Sequence, residues 1–352
     1  MSVAAAPATS DSEQTTAMFR EAAEAPGAVA RQLKENAARM KALARHLRAR
    51  PPRAIVTAAR GSSDNAATFA KYLFETHTGT LTSSAGLSTA SVYHARGRRD
   101  DTLFLALSQS GRSPDLLEAS RVAKSEGAFT LAFVNAVDSP LAEVVDETVP
   151  LCAGAEASVA ATKTFIATLS ALIHLVAAWY DDAALYAALD SLPRGLEHAW
   201  TLDWSAAVGE LKRASDLYVI ARGLGFAAAQ EASLKLKETC AIHAEAFSAA
   251  ELAHGPLAIV REGFPVFAFV QDDETKPGML ETVRKLQDLR ARLFLAGLSL
   301  DDAVALPTPV AHPIVQPALM IESFYRFANA LAVSRGLDPD RPRHLSKVTE
   351  TV

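Results

Sequence analysis

Cysteine is scarce in this chain of 352 residues: Cys152 and Cys240 are the whole supply. Two thiols exclude a disulfide framework and fit a reducing, cytoplasmic compartment. Clustered basic charge is missing too. Lys and Arg total 35 against 40 Asp and Glu, the net charge is −5, and no Lys/Arg block occurs. Nucleic acid is therefore not an expected partner. No apolar run is both long and clean enough for a membrane. The best, "TFIATLSALIHLVAAWY" (164–180), is broken by Thr, Ser and His, so a buried helix is expected and no membrane. The opening "MSVAAAPATSDSEQT" has neither a basic nor a long apolar region, and is expected to be a frayed tail rather than a signal peptide. His243, Glu245, Glu251 and His254 lie close together, but without the H-E-x-x-H spacing or a Cys pattern that holds metal. Neither a metal nor another cofactor is expected.

What the chain does have is a repeat. "AIVTAARGSSDNAATFAKYLFE" starts at Ala54 and "LYVIARGLGFAAAQEASLKLKE" at Leu217. Each is an apolar run, then Ala-Arg-Gly, a small-residue turn and an Ala-rich helical pattern. Arg60 and Arg222 share an offset of 162 positions with Gln109 and Gln271, which end the strands "LFLALSQS" and "VFAFVQDD". One offset through successive elements means two copies of one α/β unit. Apolar content of 49% at this length supports two such domains with real cores.

Short, nearly all-apolar strands are expected at 54–58, 103–107, 130–134 and 148–151, and again at 217–221, 265–270 and 292–296. Strands of this kind, alternating with helices, form parallel sheets covered on both faces. Residues just past them sit at the carboxyl edge, where open sheets bind ligands. "LDSLPRGLEHAW" (189–200) reads as a linker, with Pro193 and Gly195 as breakers. The expected organisation is a tail at 1–17, a first domain at 18–195 and a second at 196–352.

"FLALSQSGRSPDLLEAS" (104–120) leaves a strand and enters a helix through three serines. Pro114 suits the first helical position, Asp115 the first turn and Ser113 the cap. Hydroxyls and loop amides beside the positive end of a helix form an anion site, most often for phosphate. The plainer reading is a capped turn. The second copy has Asp272 and Asp273 there, which repel an anion, and that contrast favours one anion site, in the first half. The turn "ARGSSDNAA" (59–67) adds Ser62 and Ser63, with Ser63 or Asp64 able to cap. Its counterpart "ARGLGFAAA" fits G-x-G-x-x-A, but no acidic residue closes the next strand at the spacing a dinucleotide needs. Its glycines read better as close helix–strand packing.

The stretch 231–260 is rich in ionisable groups. Glu231, Lys235 and Glu238 share one helical face, by default a solvated, salt-bridged one. His254-Gly255-Pro256 puts a histidine in a loop at a helix end. The terminal "DPDRPRHLSKVTETV" is either a disordered tail or a strap that carries a lysine to a site.

"LSQSGRSPD", "SVAATKTF", "KLKETCAIHAEAFSAAELAHGPLAIV" and "RPRHLSK" together resemble the sugar isomerase (SIS) family, in particular the isomerase half of glucosamine-6-phosphate synthases. The likeness runs from about residue 18 to the C-terminus. It implies two tandem SIS domains, each a parallel β-sheet flanked by helices in a three-layer αβα sandwich. By resemblance, Ser63, Ser108, Gln109, Ser110 and Ser113 bind the phosphate and Val159 meets the sugar through its backbone. Glu238 moves a proton between C1 and C2, with Lys235 as its charged neighbour. His254 opens the sugar ring and reaches into the partner's site, which implies a homodimer. Lys347 meets the open-chain carbonyl.

The chemistry is coherent. Aldose–ketose interconversion needs one base moving a proton between adjacent carbons. A glutamate among Leu234, Leu236 and Ile242 gains basicity from burial. Ring opening suits a histidine, and a remote phosphate grip orients the sugar. No glutaminase region or early cysteine precedes the resemblance, so glutamine hydrolysis is not expected. The expected activity is that of a hexosamine 6-phosphate deaminase/isomerase, similar to the SIS-type deaminases: glucosamine 6-phosphate and water to fructose 6-phosphate and ammonia, or the reverse. The alternatives are a ketose–aldose isomerase without nitrogen chemistry and a non-catalytic phosphosugar sensor.

Overall fold

The computed structural model describes residues 14–347. Residues 1–13 of the expected tail, and 348–352, lie outside it. In chain order the elements begin α1 (Ala17–Ala23), α2 (Ala25–Ala49), β1 (Ala54–Ala58), α3 (Ser62–Thr78), β2 (Leu81–Ser84), α4 (Ser88–Ser91) and β3 (Thr102–Ser108). Then come α5 (Pro114–Ser125), β4 (Phe129–Val134), α6 (Pro140–Val144), β5 (Glu147–Pro150), α7 (Lys163–Tyr180), α8 (Ala183–Thr201) and α9 (Ser205–Leu211). The rest are β6 (Asp216–Ala221), α10 (Phe226–Cys240), β7 (His243–Ser248), α11 (Ala249–Leu252), β8 (Pro265–Phe269), α12 (Lys276–Asp288), β9 (Arg292–Ala296), β10 (Val304–Leu306) and α13 (Gln316–Ser334).

The chain divides into two compact units. The sheet-1 unit holds residues 27–156, 163–191 and 346–347; the sheet-2 unit holds 14–26, 157–162 and 192–345. The first sheet has the order β2-β1-β3-β4-β5 and the second β7-β6-β8-β9-β10, all parallel. The 162-residue offset survives in the registers: Ala58 pairs with Ala106, and Ile220 with Ala268. Both sheets are thus the same three-layer α/β design, and in each the strand order reverses beside the first strand of the copy. That reversal opens a crevice at the carboxyl edge.

The expected strands are present because their residues are buried on both faces. In the sheet-1 unit Phe104 and Val134 pack with Leu116, Val122 and Leu141. In the sheet-2 unit Ile220, Val266 and Leu295 pack with Met279, Val283 and Leu286. α7, long and apolar enough to cross a membrane, is 94% buried in the protein and is the expected buried helix.

The expected linker is absent. Residues 189–200 are not a linker: α8 runs through Pro193 without a break. An interior proline costs roughly 3 kcal/mol. Leu185, Leu189, Leu192 and Leu196 are all buried along α8, and at about 1.5–3 kcal/mol each they outweigh it.

Candidate functional site

The turns expected to hold an anion in the first half follow β1 and β3, where the strand order reverses. Gly61 turns the chain with φ +57°, and α3 begins at Ser62. Ser63 and Asp64 therefore lie inside the first helical turn, and neither caps it, contrary to expectation. The reason is that Gly61 takes the cap position in a conformation with no side-chain bond. After β3, the Ser108 hydroxyl is buried and accepts the Gly111 amide at 2.9 Å. The Ser110 hydroxyl accepts from Arg112 N at 3.4 Å. Ser113 occupies the cap position of α5 with Pro114 behind it, yet its side chain makes no capping bond. Gln109 is half-buried beside them.

Gly111 is required twice over. Its φ is +63°, and a Cβ would lie 2.2 Å from the Ser139 hydroxyl. Arg60, read in the sequence only as a marker of the repeat, latches the two turns: its Nε and Nη2 reach the buried Asp115 carboxylate at 2.9 and 2.5 Å. About half of the Arg60 side chain stays exposed, against 1% for Asp115. Hydroxyls, a helix N-terminus and a guanidinium thus converge on one edge, a set suited to a phosphate monoester.

Lys347 belongs to the same unit. Its Nζ lies 3.2 Å from Glu156 Oε2. Glu156 is itself buried and accepts the amide and hydroxyl of Thr164, at 3.2 and 2.8 Å. In the terminal segment Lys347 meets Glu156, the partner that sequence reasoning missed.

In the sheet-2 unit the face of α10 is not the solvated face expected by default. Glu231 and Lys235 are fully buried, and the Glu238 side chain is 18% exposed. Lys235 Nζ sits 2.5 Å from Glu238 Oε2 and 3.4 Å from Glu231 Oε1. The buried Tyr325 hydroxyl on α13 lies 3.1 Å from the same Glu231 oxygen. A buried ammonium needs such carboxylates, since an uncompensated charge there is strongly destabilising. Leu236 and Ile242 are buried nearby in sequence, while Leu234 is only half-buried.

Val159 and His254 stand on separate segments of this unit. The Val159 amide donates to Asp340 O at 3.4 Å, and the preceding turn is held by Glu21, which accepts the Ala157 amide at 2.5 Å. Asp340 also caps α1, accepting from Ala17 and Met18 at 2.6 and 2.7 Å. His254 is exposed between α11 and a short 3-10 turn, with Gly255 at φ +138°. At the G-x-G turn, a Cβ on Gly225 would lie 2.7 Å from Gln271 Oε1, which is close helix–strand packing. Among the described residues, no group of three or more His, Cys, Asp and Glu is placed to hold a metal.

The SIS domain model matches residues 49–178 and 210–301. A glutamine–fructose-6-phosphate aminotransferase of Symbiobacterium thermophilum is 37% identical over 321 residues, covering 84% of this chain and 51% of that protein. The chain spans about half the length of the curated relatives it matches. A structure from Silicibacter pomeroyi, described as a candidate phosphosugar isomerase, is 41% identical, with TM-score 0.88 over 92% of this chain and all of that one. The C-terminal domain of glucosamine-fructose-6-phosphate aminotransferase from Francisella tularensis is 26% identical, with TM-score 0.85 over 95% of this chain and all of that one.

Proposed function

The chain belongs to the SIS domain family, and on that premise we propose that it interconverts the aldose and ketose forms of a 6-phosphosugar, with ammonia released from a hexosamine substrate. The contact between Glu238 and the buried Lys235 carries the reading. A carboxylate held by an ammonium, with one side open to solvent, is equipped to take a proton from one sugar carbon and return it to the next. The serine cradle with Arg60 holds the phosphate. His254, exposed on its loop, opens the ring, acting in the partner's site of a homodimer. Lys347, already drawn to Glu156, meets the open-chain carbonyl. The Val159 turn lines the sugar. No cofactor enters these steps.

Isomerisation without nitrogen chemistry is the second reading, favoured by the 41% identical structure described as a candidate phosphosugar isomerase. A panel of hexosamine and hexose 6-phosphates, assayed for ammonia and for ketose, separates the two. Ammonia from glucosamine 6-phosphate supports the deaminase. Ketose from the hexose alone supports the isomerase. The proposal fails if no sugar turns over, or if Glu238→Gln turns over like wild type.

A further inference from the structure

The turn that carries Val159 lies in sequence between β5 and α7, both in the sheet-1 unit, yet residues 157–162 cluster with the sheet-2 unit. A closed set of hydrogen bonds holds them there. Glu21, buried on α1, takes two successive amides on different carboxylate oxygens: Ala157 N at 2.5 Å and Ser158 N at 3.1 Å. The next amide, Val159 N, donates to the Asp340 carbonyl at 3.4 Å. The Asp340 carboxylate in turn accepts the first two amides of α1, Ala17 and Met18, at 2.6 and 2.7 Å. The helix, the turn and the segment at Asp340 are thus linked in a ring.

The turn does not need a carboxylate in order to exist. Ala157 is exposed, and water can satisfy the amide of an exposed residue. Burying a carboxylate is costly unless its hydrogen bonds are made. Bonds from amides to a carboxylate are shorter and stronger than neutral ones, and they fix geometry. What Glu21 adds beyond water is therefore a fixed place for three consecutive residues.

We propose that Glu21 is a positioning residue for the sugar: it fixes the Val159 turn, so that the preference for a phosphosugar over bare phosphate depends on α1. The inference deepens the reading of that turn as the sugar's lining, and rests on it. The serines and Arg60 that read as the phosphate grip stand on other turns, after β1 and β3. Sugar and phosphate are then held by separate groups, and either hold can be lost without the other.

The test is calorimetric titration of the full chain with inorganic phosphate and with glucitol 6-phosphate, a hexitol ester that has no carbonyl and does not turn over. Glu21→Ala is expected to weaken the ester about tenfold and to leave phosphate unchanged. Glu21→Gln keeps one acceptor oxygen for the Ala157 amide, and is expected to lose about threefold. In turnover both variants raise KM by like factors at unchanged kcat, as loss of uniform binding does. A merely structural Glu21 would lower stability or weaken both ligands together. Equal weakening of the two ligands, or an ester affinity that does not fall in a folded variant, overturns the proposal. If Glu21→Ala does not fold, Glu21→Gln decides by the same readings. A wild type that binds the ester no more tightly than phosphate sinks the reading of the Val159 turn itself, and this inference with it.

Discussion

After β3 the chain presents Gln109, Ser110 and Gly111; at the same places after β8 it presents Gln271, Asp272 and Asp273. The strand order and the register behind them are the same. The acids of the second copy are satisfied locally, Asp272 by Lys276 at 2.7 Å and Asp273 by the Thr275 hydroxyl at 2.5 Å. Arg60 reaches across to Asp115, whereas Arg222 lies over α12, with Nη1 2.6 Å from where a Gly278 Cβ would be. A shared topology therefore supplies a crevice in each copy, and the side chains at its rim decide what enters. The second copy carries its buried charges on α10 instead.

The sharpest way to break the contrast is to give the first copy the second copy's charge. Ser110→Asp places a carboxylate in the serine cradle, losing a hydroxyl and repelling the phosphate. The combined effect is about 3 kcal/mol or more, read as a KM for phosphosugar raised roughly 100-fold. Inorganic phosphate is expected to stop competing as well. Unchanged KM in a folded variant would place the anion site elsewhere.

Gly111→Ala is expected to act less strongly and on both stability and binding. Leaving an L-residue at φ +63° costs roughly 1–2 kcal/mol, and the meeting with Ser139 adds to it. Urea unfolding should show a lower midpoint at unchanged slope, with KM raised about tenfold as the loop shifts. Gly223, at the turn after β6, also has positive φ, but its Cβ would meet only Thr275 Cγ2, at 3.0 Å. Gly223→Ala should therefore cost stability and leave KM alone.

The contrast between the copies was legible in the sequence as serines in the first turn against aspartates in the second. The strands β1, β3, β4, β6, β8 and β9 were legible for a related reason: buried on both faces, they allow almost nothing but apolar residues. β2, β7 and β10 each have one neighbour in their sheet. Their polar "LTSS" and "HAEAFS" carry no such signal. The charged face of α10 misleads because Glu and Lys at helical spacing look alike whether they meet water or Tyr325. Glu156 and Tyr325 escape notice since their partners, Lys347 and Glu231, lie 191 and 94 positions away. Only the fold brings them close.

The smallest expected effect comes from the buried carboxyls. In the sheet-1 unit Asp115 and Glu156 meet Arg60 and Lys347. In the sheet-2 unit Glu322 is completely buried, and among the described residues neither of its oxygens has a hydrogen-bond partner. Burial alone pushes its carboxyl well above the usual carboxylate range. A group whose pKa is raised by folding stabilises the fold fully below its ordinary pKa, and that contribution is lost as pH rises toward the folded value. Glu322→Gln has no proton to lose. It should match wild type near pH 4 and exceed it modestly in Tm from pH 5 to pH 8, by a margin that grows with pH. Asp115→Asn should lower Tm, since it takes the carboxylate from Arg60. A Glu322→Gln curve parallel to wild type across that range would mean that the carboxyl finds a partner, and the two units would then treat their buried acids alike.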